Sequence, residues 1–168
     1  ADFLKRHPPF QAMPEADLLE LAARGRVRFY EPNEYILCQG EPHKGYVFVI
    51  QHGTVSLWDE SASPAALTDV RGAGDMLGIE RFTGAPCCVH TARSATDVLI
   101  YAFPETDFSA LMLESPEARQ FIETAAAVTT DASSRSGPRG LDQMSVGEMV
   151  GRHEAEYFGA DTTIAQAA

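Results

Sequence analysis

Two short stretches hold the residue types in this chain that could do binding chemistry: Gly74-Asp75-Met76-Leu77-Gly78-Ile79-Glu80 and Ala85-Pro86-Cys87-Cys88-Val89-His90. A Gly-Asp turn, a second glycine and a short polar helix start can aim bare backbone N–H groups at a phosphate. A monoanionic phosphate leaving water needs such aligned donors together with a counter-charge. The same glycines also suit any tight turn that demands a positive φ. Cys87-Cys88-Val89-His90 admits a metal site or a Cys–His nucleophile. Adjacent cysteines, however, lack the two-residue gap of a metal-binding pair, no second ligand pair is visible, and no spacing supports a nucleophile. Small apolar filling of a shrunken pocket is the better reading. His43 and Lys44, after Gln39-Gly40-Glu41-Pro42, read as an exposed loop tip, and Phe48, Trp58 and Phe82 read as core.

The elements that must position these residues change period along the chain. Residues 2–24 are helical in pattern, broken by Pro8-Pro9, with Pro14 and Glu15 opening the second segment. From Val27 to Phe103 short β-branched or aromatic runs follow one another: Val27–Tyr30, Tyr35–Leu37, Tyr46–Ile50, Thr54–Trp58, Leu67–Val70 and Asp97–Tyr101. Turn signals such as Glu31-Pro32-Asn33, His52-Gly53 and Ala73-Gly74-Asp75 separate them, a pattern of sandwiches and barrels. Helical spacing returns over Thr106–Leu113 and from Pro116 to about Val128. Thr129 to Gly140 then reads as linker, because Ser133-Ser134-Arg135-Ser136-Gly137-Pro138 has little to bury. Met144–Val150 recovers amphipathic helix, and Thr162–Ala168 starts another.

Composition narrows the function classes. With 168 residues there is room for one well-buried domain and an appendage, not for two full domains. A net charge of −11 argues against nucleic-acid binding, which needs clustered Lys and Arg. Three cysteines, two of them adjacent, are no disulfide framework, and a cytoplasmic setting is expected. No apolar run approaches the roughly 18 residues of a membrane span. The sequence opens without Met or a signal peptide and is expected to be part of a longer protein.

Residues 2–128 resemble the cyclic-nucleotide-binding domain of the catabolite-activator and kinase-regulatory-subunit families. The resemblance rests on Pro9-Phe10-x-x-Met13, Leu18-x-x-Leu21-Ala22, Gln39-Gly40-Glu41, Tyr46-Val47-x-x-Ile50-x-x-Gly53-x-Val55, Gly74-Asp75-x-Leu77-Gly78, Asp97–Ile100 and Phe108-x-x-Leu111. It implies an α+β fold: an antiparallel β-roll (double-stranded β-helix or jelly roll) with flanking N- and C-terminal helices. The tail, Ser145–Val150 followed by Asp161–Ala168, looks like the opening of a CBS module, of the type bacterial proteins join to such a domain and a nucleotidyltransferase. The expected organisation is therefore a binding-domain-like unit over 1–128, a linker over 129–143 and a truncated CBS-like start over 144–168.

In the resembled family a glutamate just after the second glycine takes the ribose hydroxyl, and an arginine about nine residues on pairs with the phosphate. Here Ile79 stands at the place of the acid, with Glu80 one position late and read as a surface carboxylate. Cys87 or Cys88 falls at the place of the arginine, and Arg93 reads as a solvated strand charge. Losing a charge-assisted phosphate contact costs about 1.5–3 kcal/mol, roughly 10- to 150-fold in affinity. The candidate ligand-binding set is Gly74, Asp75, Leu77, Gly78, Ile79, Glu80, Cys87, Cys88 and Arg93, with no metal and no catalytic residue. The ligand expected is a cyclic nucleotide or other adenine nucleotide, held weakly or in a non-standard way by a regulatory sensor. The rival expectation is a ligand-free roll for dimerisation and for placing CBS modules. A homodimer through the 104–128 helices is expected, with CBS and transferase domains downstream in the same polypeptide.

Overall fold

A computed structural model of the chain describes residues 2–134. The expected linker beyond Ser134 and the CBS-like segment over 144–168 lie outside the described residues. The N-terminal stretch forms short 3-10 turns at Leu4–Arg6 and Phe10–Ala12 and then helix α1 (Glu15–Arg24). Eight strands follow: β1 (Arg26–Tyr30), β2 (Tyr35–Leu37), β3 (Tyr46–His52), β4 (Val55–Asp59), β5 (Ala66–Arg71), β6 (Met76–Leu77), β7 (Thr91–Ser94) and β8 (Val98–Pro104). A 3-10 turn at Glu80–Thr83 separates β6 from β7, and helices α2 (Glu105–Glu114) and α3 (Pro116–Ser134) come last.

The strands form antiparallel sheets of four, ordered β1-β8-β3-β6 and β2-β7-β4-β5. Alternation along the central strands divides the core in two. Phe48 and Ile50 of β3, Leu77 of β6, and Val98, Ile100 and Ala102 of β8 meet Ile36, Leu37, Val55, Leu57, Cys88 and Ala92 inside the roll. Val47, Val49, Met76 and Phe103 point the other way and bury Leu4, Phe10, Leu18, Leu21, Phe108, Ile122 and Ala126 of the helical elements. Period-2 side-chain direction is what lets one strand serve both cores.

All six expected strands are present, in the expected order. Two strands had no sequence signal: the two-residue β6, and β7, whose Thr-Ala-Arg-Ser carries no apolar run. Helix α3 runs to Ser134, so residues 129–134, expected as linker, are helical. Its start at Pro116 is as expected, and the Ser115 hydroxyl accepts the Ala118 N–H at 3.2 Å, an N-cap. Ala118, Ile122, Ala126 and Thr129 make its buried stripe. No helix among the described residues is long and apolar enough to cross a membrane.

Candidate functional site

The 72–75 turn is closed on itself rather than open to a ligand. The Gly74 N–H donates to the Ile50 carbonyl at 2.8 Å, and the Asp75 N–H to Gly72 at 3.0 Å. The Asp75 carboxylate accepts the Gly72 N–H at 2.8 Å, bracing the turn from outside. The N–H groups of Gly74 and Asp75 are therefore bonded within the fold. Gly74 has φ +93°, and an added Cβ would stand 2.1 Å from the His7 ring.

The acid position needs the larger correction. Glu80 is 4% exposed and faces the roll, not solvent, while Ile79 is buried in the helix-side core. Simple alternation from inward Leu77 would place Ile79 inward and Glu80 outward. Gly78, at φ +78°, breaks that phase, so the inward position falls one residue late. Glu80 rather than Ile79 thus presents its carboxylate to the interior. Among the described residues it has no ion pair.

Cys88 and His90 face inward with it. Cys88 is buried in the roll's core, and Cys87 is half-buried beside it. Backbone bonds Gly40 N–H to Cys88 O and Cys88 N–H to Glu41 O, both 2.9 Å, fasten the 38–44 loop against Cys88. This pairing turns His43 inward. It is half-buried rather than exposed, with Nδ1 3.8 Å from the Cys88 Sγ and Nε2 3.1 Å from the Ala85 carbonyl. Lys44 is exposed as expected, and its ammonium reaches the Ile36 carbonyl. Burial first, then the neighbouring Glu80 charge, pushes the Cys88 thiol up to about 11.

His90 is 4% exposed, and neither ring nitrogen has a hydrogen-bond partner among the described residues. Burial holds its pKa below the ordinary value, against the upward pull of Glu80 and Asp59. With Glu80, Leu37, Leu57 and Thr129 it lines an internal cavity of about 10 Å³, room for one water at most. Thr129 arrives from α3, so this helix walls one side of the space. Arg71 of β5 donates to the Thr129 hydroxyl at 3.2 Å, and its Nε lies 2.7 Å from Asp69, a charge contact whose angle falls short of a hydrogen bond.

Arg93 is not brought to this cluster. Its guanidinium donates to the Asn33 carbonyl and side chain at 3.3 and 2.9 Å and stacks 5.6 Å from the Tyr35 ring. Gly74 and Asp75 shape the approach, whereas Leu77, Gly78, Glu80, Cys88 and His90 gather at the interior. Sequence reading missed Arg71, Thr129 and the inward turn of His43. No sequence signal marked them, since each depends on a long-range contact.

A family model described as "Cyclic nucleotide-binding domain" matches residues 27–115. Solved structures of similar fold include the sensor domain of the transcriptional regulator DNR from Pseudomonas aeruginosa. It aligns at 18% identity and TM-score 0.61, covering 86% of this chain and 99% of that one. A mutant regulatory subunit of a cAMP-independent protein kinase A from Trypanosoma brucei, bound to cAMP in its A site, aligns at 19% identity and TM-score 0.57. That alignment covers 73% of this chain and 49% of the subunit, so the chain spans about half its length. The corresponding Trypanosoma cruzi subunit, bound to guanosine, aligns at 21% identity and TM-score 0.56, covering 71% and 47%.

Proposed function

This chain belongs to the cyclic nucleotide-binding domain family, a regulatory and non-catalytic one, and from that premise we propose that it is a sensor taking a nucleoside-type ligand inside the roll. The observation that carries the reading is the pairing of Glu80 with Thr129 in one small cavity. Glu80 supplies an inward carboxylate, a suitable acceptor for ribose hydroxyls. No arginine faces it from the 85–93 segment, because Cys88 is inward there and Arg93 is held by Asn33. A phosphate entering beside Glu80 would meet like charge, so the phosphate contributes little to affinity. Guanosine in the Trypanosoma cruzi neighbour is a ligand without phosphate, compatible with such a site.

A cavity of about 10 Å³ cannot hold a nucleoside while Thr129 lines it, so entry requires α3 to move. Helix α3 packs against the Glu80–Thr83 turn. Arg81 of that turn is ion-paired to Glu105 at the start of α2. Ligand occupancy and helix position therefore become alternative states of one element, and a ligand biases them by its differential affinity. The signal would pass to CBS and transferase modules of a longer polypeptide, the context suggested by the resemblance of residues 144–168.

Calorimetry on the chelator-treated chain tests the reading, with guanosine, adenosine, AMP, cyclic AMP and cyclic GMP. Nucleosides should bind at least as tightly as their phosphates, and Glu80→Gln should weaken them by about 10-fold or more. No heat with any of them at millimolar concentration, with the chain folded, would sink it. The small size of the cavity favours a second reading in that event: a ligand-free roll serving assembly.

A further inference from the structure

His43, Glu80 and Cys88 come from three separate segments, yet their ligand atoms all lie within 4.8 Å of one another. Glu80 and Cys88 are 4% and 2% exposed, so two of the three donors are buried. Two donors on one tetrahedral zinc, at about 2.3 Å for sulfur and about 2.0–2.1 Å for nitrogen, stand roughly 3.5 Å apart. The His43 Nδ1 to Cys88 Sγ distance is 3.8 Å. The Ala85 carbonyl can only accept, so at 3.1 Å it takes a hydrogen from His43 Nε2. That fixes the neutral tautomer with its Nδ1 lone pair turned to the thiol, the outer support that metal-bound histidines have.

The paired backbone bonds between Gly40-Glu41 and Cys88 hold the His43 loop in place without any ion. Beside the triad, His90 is buried, lacks a hydrogen-bond partner at both ring nitrogens among the described residues, and lines the same cavity as Glu80. A mixed imidazole, carboxylate and thiolate set selects zinc-like transition ions over calcium or magnesium, which take oxygen ligands. We infer that His43 Nδ1, Glu80 and Cys88 Sγ form a binding site for one zinc(II)-class ion, with a fourth position left open. Coordination exchanges the thiol proton for the ion and releases that proton to solvent. This inference shares Glu80 with the nucleoside reading but does not depend on it.

Titration of the chelator-treated full chain with cobalt(II), followed by zinc(II), tests it. One cobalt per chain is expected, with thiolate-to-cobalt charge-transfer absorption, four-coordinate visible bands, and displacement by one equivalent of zinc. All three cysteines, Cys38, Cys87 and Cys88, lie in the described segment, so the charge-transfer band can be assigned by substitution. Cys88→Ser should abolish it, and Cys87→Ser and Cys38→Ser should keep it. His43→Ala, at a half-buried loop position that spares the core, should weaken cobalt binding by at least roughly 100-fold. The site is overturned if the folded chain shows no charge-transfer band, if His43→Ala leaves affinity unchanged, or if Cys87→Ser or Cys38→Ser removes the band.

Discussion

Gly78 decides which side chain the roll's interior receives. Its φ of +78° places the next residues out of phase with β6, and an added Cβ would sit 3.2 Å from the Tyr46 carbonyl oxygen. Gly78→Ala should cost about 1–2 kcal/mol from the left-handed backbone alone, read as a lower urea midpoint. Cys88 makes a chemical prediction. With its thiol pushed up to about 11 from 9.0, its thiolate is roughly 100-fold scarcer at neutral pH than an ordinary one. Peptide mapping after brief alkylation of metal-free chain at pH 8 should find Cys87 labelled well before Cys88; equal labelling would contradict the burial of Cys88. Asp59 sets an acid limit. The Ser61 hydroxyl, then the Gln39 amide, hold its carboxyl below 3.8. On acidification the unfolded chain takes that proton first, so the stability Asp59 adds is full above about pH 4 and is lost as pH falls through the lower folded value. Urea midpoints from about pH 5 to pH 2.5 should fall less steeply in Asp59→Asn than in the parent chain. At this scale the residue types of the site were legible in the sequence, but their directions were not. Glu80 looked one place late because the phase shift at Gly78 is a backbone angle, which residue identity permits without dictating.

At the level of elements, what was legible depended on whether a segment advertises its own burial. Tyr46–Ile50 and Asp97–Tyr101 are long apolar runs and became the central strands β3 and β8. Strand β7 sits between β2 and β4, yet its buried residues are Thr91, Ala92 and Ser94. Thr91 accepts the Gln39 N–H, and Ser94 donates to the Glu31 carbonyl, so partners elsewhere satisfy hydroxyls that no apolar pattern marks as strand. The C-terminal end of α3 escaped notice for a related reason. Thr129 and Thr130 turn their hydroxyls back to the Ala125 and Ala126 carbonyls at 3.0 Å, which lets polar β-branched residues extend a helix. On the proposed reading this helix carries the regulation, because its buried face packs on the Glu80–Thr83 turn and lines the cavity. Ile122 is fully buried in that face. Ile122→Ala should cost about 2–5 kcal/mol and should raise amide hydrogen exchange over residues 80–83 as well as within α3. Faster exchange confined to α3 would show that helix and turn are uncoupled.

For the molecule as a whole, charge and exposed apolar surface pull in opposite directions. Each chain carries −11, which keeps copies apart in low salt. Against this stand exposed apolar side chains on several elements, among them Val27 and Phe29 on β1, which among the described residues pairs with β8 alone, and Val128 on α3. The buried stripe of α3 is occupied by its own roll, so a dimer through the 104–128 helices would have to use the opposite face. Val128, 62% exposed, offers an apolar anchor there. Two such acidic chains should associate more strongly as salt rises, because screening weakens their repulsion while apolar burial persists. Light scattering on the full chain from about 0.05 to 0.5 M salt should then climb from 18.2 kDa toward twice that mass. Val128→Glu should hold it at the lower mass throughout, whereas Phe29→Glu should not. If Phe29→Glu abolishes the dimer and Val128→Glu does not, the seam belongs to the β1 edge. Helix α3 would then remain free to follow the state of the roll without breaking an interface.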